Sequence, residues 1–410
     1  MRSDIKEWNF FDKSINYLFI SLVFLFPFSI SIRNLILGLI IILYLVKILF
    51  LKINKQKILT PETIINKELI IFFVISILSL FKVEDLNLGI DGLISPVIRN
   101  IFFFYIGSLI IFSNHISKYK NTLFYGSITF IISAALASKI YREDFFHGNG
   151  TGTWATFVVF FCISLIFASD FNIYKKIISI LTAGAGVLIL FHTTSRGATI
   201  GFFVGIIVLI SLLIWEKVNN LKTVIASVLI LITIMILITP YILPDSLMNK
   251  FNNITEDIES HGSLYTRVVM WKSSLYMMKS NPVLGVGIGN FKPNYHNYID
   301  NVIKEKNSNK ISRDHDHPHN LFLHIGAEMG IIALIISLII IYKVIKISLI
   351  NFKTYNPGNP GNYLALANLS SISALLVHSM VDTTIRYGHV GYFIILLTIF
   401  NLKYNQNKLN

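Results

Sequence analysis

Apolar runs of about twenty residues recur along nearly the whole chain, and one such as "LKTVIASVLILITIMILITPYI", Leu221 to Ile242, leaves few folding options. In hydrocarbon every backbone N–H and C=O must be satisfied within the structure, which a helix does by itself and an open strand does not. Hydropathy predicts twelve spans, at 15–32, 34–51, 67–82, 97–113, 121–139, 153–169, 174–191, 198–215, 221–242, 328–349, 362–381 and 388–404. The expected fold is an all-α polytopic membrane protein of about twelve transmembrane helices. The single long polar stretch, 243–319, is expected to form a large loop outside the membrane with amphipathic helices of its own. It separates spans one to nine (1–242) from spans ten to twelve (320–410).

Composition points the same way. Only 14% of the 410 residues are charged, against about a quarter in a soluble chain, and the mean hydropathy is +0.65. The length therefore does not translate into two or three soluble domains. A formal charge of +13 would suggest nucleic acid if it clustered on a soluble surface, but the cations are spread over short loops. No nucleic-acid partner is expected; membrane lipid is. The lone cysteine, Cys162, sits in an apolar run and excludes both an internal disulfide and a thiolate metal site. The N-terminus mixes Arg2, Lys6 and Lys13 with Asp4, Glu7 and Asp12 and has no short apolar core before a small-residue cleavage site. It reads as a retained first helix rather than a signal peptide.

Orientation follows from basic residues in short loops. With the N-terminus cytoplasmic, nineteen Lys and Arg fall inside, and the short outer connections hold seven: Arg33, Lys82, Arg99, Lys139, Arg142, Arg196 and Arg386. That places both termini in the cytoplasm and the long loop outside. Of eight arginines, seven lie on the outer face, Arg267 and Arg313 of the long loop included. Planar bidentate donors suit phosphate and carboxylate, whereas lysine suffices for topology.

Three stretches could carry chemistry. In "FHTTSRGATIGF", Phe191 to Phe202, Arg196 opens a span, and Thr193, Thr194 and Ser195 can cap the following helix, so its free N–H groups and Arg196 form a candidate anion cradle. The plainer reading is an arginine snorkelling at a helix end. In "SLYTRVVMWKSSLYMMKSNP", Ser263 to Pro282, an apolar stripe of Leu264, Val268, Trp271, Leu275 and Met278 predicts an amphipathic helix on the membrane or the bundle. Arg267 flanks that stripe. The glycine-rich "GVGIGNF" after it lacks a strand–loop–helix setting and reads as tightly turned or flexible backbone without a cofactor.

The third is "SRDHDHPHNLFLHIGAEMG", with four histidines in ten residues. Pro318 suits the first position of a helix capped by Asp316 or His317, which would put His319 in the first turn. There the positive helix end favours a neutral imidazole able to accept a proton. A metal site would need His315, His317 and His319 to converge with Asp314 or Asp316, in a spacing that matches no structural zinc pattern. His324 is expected to pack or bond locally.

Together these features resemble the O-antigen ligase family: an arginine after a Thr/Ser-rich link, a large outer loop, then His319-Asn320 leading a helix with Gly330 ten residues beyond the Asn. The chain departs from the family pattern at Ala333. The resemblance implies a glycosyltransferase whose donor is an O-antigen glycan on undecaprenyl diphosphate and whose acceptor is a sugar hydroxyl of lipid A–core. It implies Arg196, Arg267 and His319 as catalytic residues, with Arg142, Arg386, His317 and Asn320 near substrate, and no metal or other cofactor. The implied setting is the periplasmic face of a bacterial inner membrane. An O-antigen polymerase is the nearest alternative. A transporter or flippase is disfavoured, since it would need charge along the middle of its spans.

Overall fold

The computed structural model describes residues 2–25, 30–53, 62–113, 116–141, 148–218, 220–253, 262–306 and 314–406. They are predominantly helical, with no strand among the described residues. In chain order the helices are α1 (Arg2–Leu25), α2 (Ile30–Ile53), α3 (Asn66–Ser79), α4 (Leu86–Gly92), α5 (Arg99–Ser113), α6 (Ile116–Tyr141), α7 (Asn149–Ile166), α8 (Ile173–His192), α9 (Arg196–Val218) and α10 (Leu221–Ile242). There follow α11 (Asp245–Asn252), α12 (Ser263–Ser280), α13 (Phe291–Lys306), α14 (Leu321–Thr354), α15 (Pro360–Ser379) and α16 (Gly388–Gln406). A π-helical stretch around Pro96, Leu93–Ile98, joins α4 to α5, because the proline cannot donate to the regular ladder.

Among the described residues the twelve expected runs fall mainly on helix. Seven segments among the described residues are long and apolar enough to cross a membrane: those of α2, α4–α5, α7, α8, α9, α10 and α14. The chain is thus a multi-pass helical membrane protein. α15 is not in that set because its sequence carries Asn362, Asn368, Ser370, Ser371 and His378, all buried. Those groups are spent inside the bundle. Asn362 Nδ2 donates to Glu216 Oε1 at 2.8 Å and Asn368 Nδ2 to Ser348 Oγ at 2.9 Å, which fixes neighbours where apolar packing alone discriminates weakly.

α15 is the hub, packed against α7, α9, α14 and α16. The closest approach is to α9, along a glycine stripe of Gly197, Gly201 and Gly205 at four-residue spacing. A Cβ on Gly201 would lie 2.6 Å from Ala374 O, and one on Gly205 2.9 Å from Ser370 O. Small residues every fourth position let two backbones meet in this way. The consequence is local: the stripe begins one residue after Arg196, so that arginine is carried to the C-terminal end of α15.

Two expectations about helices are corrected, one of a boundary and one of a buried face. α14 begins at Leu321, seven residues before the expected span, and at 34 residues it is about 51 Å long, well over a hydrocarbon core of about 30 Å. It is also broken: Gly330 has φ 82° and ψ 176°. The buried face of α12 is Tyr265, Val269, Met270, Ser273, Ser274 and Met277, not the expected stripe, and Leu275 is exposed. Apolar side chains surround this helix on several sides, so periodicity alone could not select the face that docks on α13 and α14.

Candidate functional site

The helix start predicted at Pro318 falls three residues later. Asn320 is the cap, its side chain accepting from Leu323 N at 3.0 Å. His319 therefore lies before the helix, with φ 48°, a left-handed conformation uncommon for a residue with a side chain. The expectation that a helix end sets its protonation is replaced by a different arrangement. His319 Nδ1 is 3.0 Å from Asp382 Oδ1, and Asp382 is fully buried whereas the His319 side chain is 29% exposed. The carboxylate fixes which nitrogen carries the proton and leaves Nε2 as the acceptor.

Asp382 was not singled out from the sequence, and it is the best-supported group at the site. Its backbone neighbour Thr383 N donates to Oδ1 at 2.8 Å, and Tyr387 OH donates to Oδ2 at 3.1 Å. His378 Nε2 lies 3.9 Å from Oδ2. Burial alone would raise this carboxyl, but the bond from His319, the charge of His378 and His319 and the Thr383 amide outweigh it and hold it well below the usual carboxylate range. Only its place at the end of "VHSMVD", one turn after His378 and just past a span, could have flagged it. That is a weak signal, because the 63-residue separation from His319 hides the contact.

Arg196 and Arg267 meet in one cavity of about 560 Å³, with Thr194, Ser195, Lys250, Ser263 and His378 also in its wall. Ser195 caps α9 as expected, its Oγ accepting from Ala198 N at 3.3 Å. Arg196 donates to Lys250 O at 2.9 Å and to Ser263 Oγ at 3.1 Å. No Asp or Glu lines the cavity among the described residues. His378, buried and bonded through Nδ1 to Thr153 Oγ1 at 2.7 Å, joins this cavity to Asp382 and so to His319.

On the other side of α15 an apolar cavity of about 290 Å³ runs between α3, α5, α14 and α16, lined by residues such as Phe72, Phe104, Ile325 and Ile395, with Thr383 and Arg386 among its polar residues. Arg386 donates from Nη1 to His317 Nδ1 at 2.7 Å. Burial, with His319 and Arg386 adding like charge, pushes the His317 imidazole down to about 3. The His317 and His319 rings are 4.3 Å apart. Asn320 spends its side chain within the protein, with Nδ2 donating to Met380 O at 2.9 Å. Arg142 and Arg313 lie outside the described residues.

The metal arrangement weighed from the sequence does not assemble as written, since His315 turns away onto the Tyr295 ring at 5.8 Å. His317, His319 and Asp382 do converge, with one candidate ligand atom each within 4.8 Å of the others. That set could hold a divalent ion, although the Arg386 guanidinium on His317 sets a positive charge against it. His324 packs locally, 3.6 Å from Glu328.

The fold and site thus define a multi-pass membrane protein with a His–Asp pair between an arginine-lined and an apolar cavity. The stretch 177–338 matches the family model described as O-antigen ligase. It holds Arg196, Arg267 and His319; Asp382 lies beyond it. The chain is also similar to a polysaccharide ligase, so named, of Rickettsia typhi: 24% identical over 366 residues, spanning 81% of this chain and 85% of that protein.

Proposed function

We propose that this chain is an O-antigen ligase, transferring a glycan from undecaprenyl diphosphate to a sugar hydroxyl of lipid A–core at the periplasmic face of a bacterial inner membrane. The observation that carries this reading is His319, held by buried Asp382, one side chain away from the cavity shared by Arg196 and Arg267. His319 Nε2 takes the proton of the acceptor hydroxyl, and its oxygen attacks the anomeric carbon. The bond from that carbon to the diphosphate oxygen breaks, and the electron pair leaves on the diphosphate. Arg196 and Arg267 neutralise the charge that gathers there, and Asp382 stabilises the imidazolium. The apolar cavity beside Arg386 supports a lipid-borne substrate. No step needs a metal, and Arg386 and His317 contact the substrate mouth.

The test is complementation of a strain lacking its own ligase. Loss of ligase leaves uncapped lipid A–core and polymer on its carrier, whereas loss of a polymerase leaves core bearing a single repeat. His319→Ala, Arg196→Ala, Arg267→Ala and Asp382→Asn proteins should insert normally and fail to restore long lipopolysaccharide. A lost base costs about 10²–10⁴ in rate. Full restoration by all four variants sinks the assignment.

A further inference from the structure

Lys250, on the short helix α11, belongs to the same cavity from the opposite wall. Its backbone oxygen accepts the Arg196 guanidinium at 2.9 Å, while its Nζ donates to Thr194 Oγ1 at 2.8 Å and to Thr194 O at 3.3 Å. Lys250 therefore clasps the turn that opens α9 and sets its ammonium beside Arg196. Thr194 is itself held at φ 50°, and its hydroxyl accepts from the ammonium. Two of the three ammonium protons go to neutral oxygens; none goes to a carboxylate among the described residues. Partial burial and the neighbouring Arg196 draw the ammonium below the ordinary lysine value, an effect that a bound anion reverses.

We infer that Lys250 is the specificity-determining third cation of the diphosphate site, acting on the charge that appears as the glycan leaves. The inference rests on the ligase reading. A lipid diphosphate joined to a sugar is a diester with two formal negative charges. When the anomeric C–O bond breaks, the electron pair stays on the phosphate oxygen and the lipid diphosphate becomes a monoester with three. Arg196 and Arg267 match the donor, and Lys250 matches the additional charge. A contact stronger in the transition state than in the ground state accelerates the reaction instead of only tightening binding.

The experiment measures binding by calorimetry to the full chain in lipid nanodiscs. The probes are farnesyl diphosphate, a monoester, and uridine diphosphate glucose, a diester. Lys250→Gln should weaken the monoester about tenfold, which corresponds to about 1.4 kcal/mol, and the diester less than about threefold. Lys250→Arg should stay close to the parent protein, which shows that the site is still folded. Equal weakening of both probes by Lys250→Gln overturns the role assigned to the developing charge. Unchanged monoester binding by Lys250→Gln, with weakened binding by Arg196→Gln and Arg267→Gln, removes Lys250 from the site and leaves the cavity reading standing. Unchanged binding by all three removes both.

Discussion

In the proposed reading His319 is a loop residue positioned to act as a base. A φ of 48° is strained for a side chain, and the strain is held by the Asp382 contact on one side and the Asn320 cap on the other. Its neighbour His317 carries a measurable consequence. The unfolded chain's imidazole takes a proton near 6.5, while the folded one refuses it down to about 3. The unfolded state binds more protons in that window, so the contribution of His317 to stability is complete above about 6.5 and drains away as pH falls toward 3. The melting temperature of the purified protein should fall on going from pH 7 to pH 4, and His317→Gln should flatten that slope. An identical slope in the variant refutes the assignment. Histidine was legible here as residue type and crowding. The helix start and the His-Asn pattern pointed to His319, but its contact with Asp382 was not legible, because that group is remote in sequence.

At the level of elements, the segment after α12 and the break in α14 are one device. In an unbroken helix Ile331 N would donate to Ala327 O. Here it donates to Pro282 O at 2.9 Å, and the freed carbonyls of Ala327 and Glu328 accept from Val286 N at 2.9 Å and Gly287 N at 3.0 Å. The Glu328 carboxylate then takes Gly289 N at 2.8 Å and Phe291 N at 3.1 Å. The glycines of "GVGIGNF" are thus backbone straps, with φ of 66°, 103° and 72° at Gly285, Gly287 and Gly289. The sequence suggested tight turns there, but not what they bind, since a main-chain pairing has no side-chain signature. Trp271 Nε1 donates to Pro318 O at 3.0 Å, so the strap and α12 together hold the loop that bears His319. Gly330→Ala puts a Cβ 2.2 Å from Val283 O at a φ of +82°, a backbone contact that no side-chain rotation relieves. It should cost roughly 1–3 kcal/mol, lower the melting temperature and abolish transfer; a parent-like melting curve contradicts this account of the break.

Across the whole molecule the two ends of the bundle carry different chemistry. α14 runs from the His319–Asp382 end toward Lys343, Lys346 and Lys353, and Lys343 Nζ there pairs with Glu68 at 2.7 Å and with Ile64 O at 2.9 Å. Lys120 at that end is buried against Asp170 and Tyr363. The arginines Arg196, Arg267 and Arg386 gather instead around the histidines. Loop charges predict the same separation, because the positive-inside rule acts on sequence directly. The cavities between helices are not predicted in this way, because they depend on which helices become neighbours. The polarity predicts a sidedness that cysteine labelling can read. Cys162 is fully buried, so the natural chain gives little background. Ser280→Cys, exposed at the last residue of α12, should react in intact cells with a maleimide that cannot cross the inner membrane but reaches the periplasm. Asn356→Cys, exposed in the link between α14 and α15, should react only after the inner membrane is permeabilised. Ser280 lies two residues before Pro282, which bonds Ile331 beside the Gly330 break, and Asn356 follows the C-terminal end of α14. The reversed pattern would therefore put His319 in the cytoplasm, away from any acceptor on the outer leaflet, and would refute the periplasmic site.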